Sequence, residues 1–142
     1  MKLVLDASVA LKWFFSQRAD EADTGAALAL LKALGEGVVS LVQPPHFVAE
    51  IAAVLAREAP EQAQACLRDL LDIDMQVIDD PHVMARAVDL ASRHKHHLFD
   101  TLYHALALET PGAMLVTADG TYLRKASREG QIISLAALCL PG

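Results

Sequence analysis

Apolar and polar positions along this chain follow two alternating patterns. Short apolar runs occur at 2–5, 38–42, 75–78, 113–117 and 131–134. They are too short for helices and rich in Val, Leu and Ile, so they read as buried strands. The stretches between them carry helical spacing, predicting helices over 7–15, 20–34, 45–58, 61–71, 81–93, 98–108 and 120–130. Gly35 and Gly37 close the second helix, Pro44-Pro45 start the third, and Pro60 separates it from the fourth. The tail 134–140 is expected to add one more turn. Strands alternating with helices make βαβ units, so a mainly parallel sheet covered on both faces is expected. Binding sites in such sheets lie beyond the carboxyl ends of the strands.

Composition narrows the class. The 142 residues are expected to form a single domain, 1–142, and the 54% hydrophobic share excludes a disordered chain. The net charge of −6 removes the broad basic field of many nucleic-acid binders. Cys66 and Cys139 form no metal-type spacing, which fits a reduced, cytoplasmic protein. The apolar start carries Asp6 and Lys12 and no cleavage pattern, so neither a signal peptide nor a membrane span is expected.

The candidate chemistry lies in the acids. Asp6 follows the first strand, Asp119 follows the fourth by two residues, and Asp100 opens a helix. Taken singly, each is an ordinary helix cap or turn residue. Glu50 reads as mid-helix, where no cap explains it, bordering an apolar stripe of Phe47, Ile51, Val54 and Leu55. Four carboxylates meeting at one sheet edge would resist ionisation. A hard divalent cation such as Mg²⁺ removes that conflict, and can polarise a phosphodiester and deliver a bound hydroxide.

The segments Leu3-Val4-Leu5-Asp6-Ala7-Ser8-Val9-Ala10, Pro44 to Glu50, Phe99-Asp100-Thr101-Leu102-Tyr103-His104-Ala105-Leu106-Ala107 and Leu115-Val116-Thr117-Ala118-Asp119 occur in this order. As an ordered set, the chain resembles the PIN-domain ribonucleases, specifically the VapC-type toxins of toxin–antitoxin pairs. The resemblance implies a three-layer α/β/α domain with a five-stranded sheet in order 3-2-1-4-5. It also implies an endoribonuclease dependent on Mg²⁺ or Mn²⁺. Asp6, Glu50, Asp100 and Asp119 fall on the family's acidic positions, and Ser8 and Thr117 on its small hydroxyl positions. By that resemblance Asp6 and Asp100 are the principal metal ligands. Asp119 helps hold a metal or its waters, and Glu50 positions the attacking water or a second ion. The implied partners are RNA, a cognate antitoxin and a second copy of the chain. Two departures stand out: Ala53 replaces a common Asn, and His94-Lys95-His96-His97 replaces a tyrosine–glycine type turn.

Other polar residues have plainer readings. The histidine run lacks a defined ligand spacing and reads as a solvated helix end. Arg93 and Lys95, together with Arg124, Lys125 and Arg128, are candidates for RNA phosphate contacts. His46 reads as a capping or packing residue, and Tyr103 as core with its hydroxyl at the site edge. Trp13, Phe14 and Phe15 are adjacent and cannot all face one way on a helix, so at least one is expected at a partner surface. Two other functions compete: a non-catalytic PIN-like module binding RNA or protein, and a phosphatase with Asp6 as nucleophile. Ser8 stands where the phosphatase would want a second Asp.

Overall fold

Leu3, Val4 and Leu5 are all completely buried. Successive strand residues point to opposite faces, so burying all three requires cover on both sides of the sheet. The computed structural model, which describes residues 1–141, provides that cover. The order is β1 (Lys2–Leu5), α1 (Ala7–Phe14), α2 (Thr24–Gly35), β2 (Ser40–Gln43), α3 (Phe47–Glu58), α4 (Ala63–Leu71), β3 (Gln76–Val77), α5 (Pro81–His94), α6 (Leu98–Glu109), β4 (Ala113–Thr117), α7 (Gly120–Ala126) and β5 (Ile132–Ser134). The five strands form one parallel sheet in order β3-β2-β1-β4-β5, sandwiched by helices. Among the described residues no helix is long and apolar enough to cross a membrane.

The central strands set the position of the chemistry. β1 pairs with β4 from Lys2↔Ala113 to Leu5↔Val116, so both strands run out at the same edge. On the other side, β1 pairs with β2 only at Lys2↔Ser40 and Leu3↔Leu41. Beyond that the side chain of Gln43 takes over. It is fully buried; its Oε1 accepts from Leu5 N at 2.8 Å and its Nε2 donates to Leu5 O at 2.9 Å. One amide therefore substitutes for a rung of the ladder and holds the strand end that carries Asp6.

Several boundaries differ from the sequence expectation. The second helix starts at Thr24, because Asp23 adopts a left-handed conformation at its N-cap. Pro44 and Pro45 lie in a turn before α3, which begins at Phe47. α7 ends at Ala126 and passes into a 3-10 turn, Ser127–Glu129. The expected turn in the tail is the 3-10 turn Leu135–Ala137. The aromatic trio leaves none of its members free. α1 stops at Phe14 and the chain turns at Phe15, so Trp13 and Phe15 are both buried and Phe14 packs against the core. Trp13 Nε1 donates to Ala27 O at 2.8 Å, tying α1 to α2.

Replacing Gln43 with Leu keeps the volume but strands the N–H and the carbonyl of Leu5. Each buried unsatisfied group costs about 1–3 kcal/mol, so Gln43→Leu should lose about 2–5 kcal/mol in urea unfolding. A loss below about 0.5 kcal/mol, the range of ordinary surface substitutions, would contradict this role.

Candidate metal centre

Asp6 occupies the corner where β1 ends and α1 begins. It caps α1, with Oδ1 accepting from Ser8 N at 3.2 Å, and is only 7% exposed. Its Oδ2 accepts from Thr117 Oγ1 at 2.8 Å, a bond across the ends of β1 and β4. Thr117 Oγ1 in turn accepts from Asp119 N at 2.9 Å, and Ser8 Oγ accepts from Ala118 N at 3.2 Å. The two small hydroxyls thus tie both strand ends together. Burial pushes the Asp6 carboxyl up to about 6, against the hydrogen bonds from Thr117 and Ser8, and the charges of Asp100 and Glu50 push the same way as burial.

Asp119 shows that a cap and a site residue can be one group. Its Oδ1 accepts from Thr121 N at 3.0 Å and Tyr122 N at 3.1 Å, capping α7. Its Oδ2 lies 3.7 Å from His96 Nε2. Asp100 is no cap: His97 holds the N-cap position of α6, and Asp100 is the third residue of its first turn. Burial raises its pKa, and Glu50 and Asp119 add to that rise, while His96 opposes it. Its Oδ2 takes a bond of 3.0 Å from His96 Nε2.

Glu50 is not mid-helix, because α3 starts later than expected; it sits in the first turn, where the helix dipole favours an acid. His46 Nε2 lies 2.7 Å from Phe99 O and 2.9 Å from Glu50 Oε1. Nε2 donates to the carbonyl, and Glu50 Oε1, buried beside the same nitrogen, makes no well-formed hydrogen bond. The Tyr103 hydroxyl is likewise buried without a well-formed hydrogen bond, and it faces Glu50. Burial raises the Tyr103 pKa first, and the charges of Glu50 and Asp6 add to it.

The ligand atoms that come closest together belong to His96, Asp100 and Asp119, all within 4.8 Å of one another, a set capable of coordinating a divalent ion. Asp6 and Glu50 lie outside this tightest set, yet their charges reach Asp100 and Asp6 respectively. The donor set fits a cation: clustered carboxylates with raised pKa values and an orphaned carboxylate oxygen on the same edge.

His96 is the member that sequence reading missed. It precedes Asp100 by four residues, and this spacing was visible in the sequence. Its neighbours divide their work differently. His94 pairs with Glu129 at 3.0 Å, His97 is exposed, and Lys95 is the left-handed C-cap of α5. The segment is therefore not a uniformly solvated helix end. Arg93, a candidate RNA contact, bonds Asp89 at 2.9 Å and also pairs with Glu129. Arg93 and His94 hold the Glu129 carboxyl down at about 2. Lys125 turns toward His96 Nδ1 at 3.2 Å, while Arg124, Arg128 and Lys95 are exposed. His104 belongs to the packing: Nδ1 accepts from the Tyr122 hydroxyl and Nε2 donates to Gly130 O, both at 2.8 Å. Burial lowers its pKa.

With this geometry in place, comparison with known proteins identifies the class. The sequence matches the PIN domain family over residues 3–128, and the chain belongs to that family. No curated protein matches it. Among solved structures, it is similar to a chain in the crystal structure of VapBC2 from Rickettsia felis bound to a DNA fragment from their promoter. The TM-score is 0.67 at 17% identity, covering 94% of this chain and 97% of that one, a likeness of fold.

The Asp6 pKa sets a pH dependence. Its folded value of about 6 lies above its ordinary 3.8, so the folded chain binds that proton more tightly than the unfolded one. The penalty for ionised Asp6, about 3 kcal/mol at neutral pH, is relieved as pH falls through 6 toward 3.8. In EDTA, the stability of Asp6→Asn relative to wild type should therefore be greatest at pH 7 and should decline toward pH 4. A difference independent of pH, measured by chemical unfolding, would contradict the raised value.

Proposed function

We propose that this chain is a metal-dependent endoribonuclease acting as the toxin of a toxin–antitoxin pair. The observation that carries the reading is the gathering of Asp6, Asp100 and Asp119, with Glu50 nearby, at the carboxyl edge of a PIN-domain sheet. Asp6, Asp100 and Asp119 would hold Mg²⁺ or Mn²⁺. The ion would supply Lewis-acid polarisation of a phosphodiester and a hydroxide at neutral pH. The chain's own groups do the rest. Thr117 and Ser8 fix the Asp6 carboxylate, and the α7 amides fix Asp119 through Oδ1, leaving Oδ2 toward the cluster. Glu50, whose buried Oε1 makes no well-formed hydrogen bond within the chain, would orient the attacking water or hold a second hydrated ion.

RNA is the proposed substrate. Arg93, Lys95, Arg124 and Lys125, all exposed and close in sequence to Asp100 or Asp119, are the proposed phosphate contacts; Arg93 and Lys125 also pair within the chain. The proposed partners are a cognate antitoxin, in keeping with fold likeness to a chain of a VapBC2 complex, and a second copy of the chain, and the proposed compartment is the cytoplasm. A non-catalytic binding module has no use for a cluster of carboxylates whose ionisation is opposed first by burial and then by one another's charge.

Incubation of a small-RNA pool with the purified chain tests this directly. Cleavage should occur with Mg²⁺ or Mn²⁺, stop in EDTA, and fall to background for Asp100→Asn. No cleavage by antitoxin-free wild type would favour the binding-module reading, and equal cleavage by both proteins would place the activity elsewhere.

A further inference from the structure

His96 stands between three groups from different elements. Its Nε2 lies 3.0 Å from Asp100 Oδ2 and 3.7 Å from Asp119 Oδ2. Its Nδ1 lies 3.2 Å from Lys125 Nζ on α7, and the same ammonium donates to Lys95 O at 3.3 Å. The imidazole packs against Tyr122, ring centroids 4.8 Å apart, which limits its rotation. An ammonium carries donors and no acceptor. The nitrogen that faces it must offer a lone pair, so the neutral ring carries its proton on Nε2, where it meets the two carboxylates. A ring nitrogen that carries a proton donates and does not coordinate.

We infer that His96 is a positioning residue of the metal centre, not a metal ligand: Lys125 fixes the ring proton on Nε2, and that N–H holds Asp100 Oδ2, leaving Oδ1 of Asp100 for the ion. The inference deepens the reading above and rests on it for the ion. It gives Lys125 a role that charge alone would not. Coulomb repulsion from an ammonium beside a cation site weakens ion binding, whereas an ammonium that orders the His96–Asp100 pair strengthens it. It also accounts for the bend of the chain before α6. Lys95 takes a left-handed conformation, φ 50°, and closes α5 with His96 N bonded to Ala91 O at 3.1 Å. That turn brings His96 back over the first turn of α6.

Two measurements on the full chain decide it. Calorimetric titration with Mn²⁺ should show His96→Leu weakened about tenfold or more, the usual cost of losing a group that orients a ligand. His96→Gln, whose amide N–H reaches similarly, should recover most of that loss. Lys125→Met should weaken binding although it removes a positive charge. In parallel, pulsed EPR of Mn²⁺ bound to the wild type should show no imidazole ¹⁴N coupling. Thermal unfolding of each variant in EDTA confirms that it is folded. A ¹⁴N coupling that vanishes in His96→Gln would make His96 a ligand and overturn the inference. Tighter Mn²⁺ binding by Lys125→Met with unchanged binding by His96→Leu would overturn it too. A wild type that binds no Mn²⁺ at all would instead remove the centre itself, and with it the nuclease reading.

Discussion

Two adjacent parallel strands, β1 and β4, end at the same level and deliver carboxylates to one buried edge. Asp6 is desolvated there, and the charges of Asp100 and Glu50 oppose its ionisation further. Such an arrangement is unfavourable in the bare protein, and the surrounding fold is organised to sustain it. Thr117 bonds Asp6 and receives Asp119 N, Gln43 holds the backbone of Leu5, and α7 spends two amides on Asp119. Local stability is given up for a concentration of negative charge. A divalent cation is the ligand whose binding reverses that cost.

The polar groups fall into two sets around the edge. On one side His96 touches Asp100 and Asp119, and Lys125 backs it. On the other, His46 Nε2 donates to Phe99 O, and Glu50 Oε1 beside it makes no well-formed hydrogen bond. The His46 ring lies 4.5 Å from the Tyr103 ring, whose hydroxyl also lacks a well-formed hydrogen bond. The first side is already satisfied by protein groups. The second retains unmet hydrogen-bonding capacity, which suits water or a hydrated ion.

Much of the fold was legible because its signals are local. Buried parallel strands read as short apolar runs, and β1 and β4 fall where those runs lie. The position of Asp6 after β1 and of Asp119 after β4 followed from the same reading, and the family resemblance supplied the strand order that brings them together. Signals failed where a tertiary partner decides. Pro44-Pro45 suit either a helix start or a turn, and the turn delays α3 until Phe47, moving Glu50 into the first helical turn. The pairing of Arg93 with Glu129 was not legible because the two are distant in sequence. His96 looked solvated because its role depends on Lys125 from α7. Its spacing to Asp100 was present all along but unremarkable without the left-handed turn at Lys95.

If this edge serves a divalent ion, the ion should be found there. A crystal structure grown with Mn²⁺ and measured at the manganese absorption edge tests it most directly. An anomalous peak is expected within bonding distance of carboxylate oxygens of Asp100 and Asp119, facing Asp6, with the Glu50 side chain turned toward the ion or its waters. Crystals that bind Mn²⁺ only elsewhere on the surface, with Asp100 and Asp119 still held by His96 alone, would contradict it.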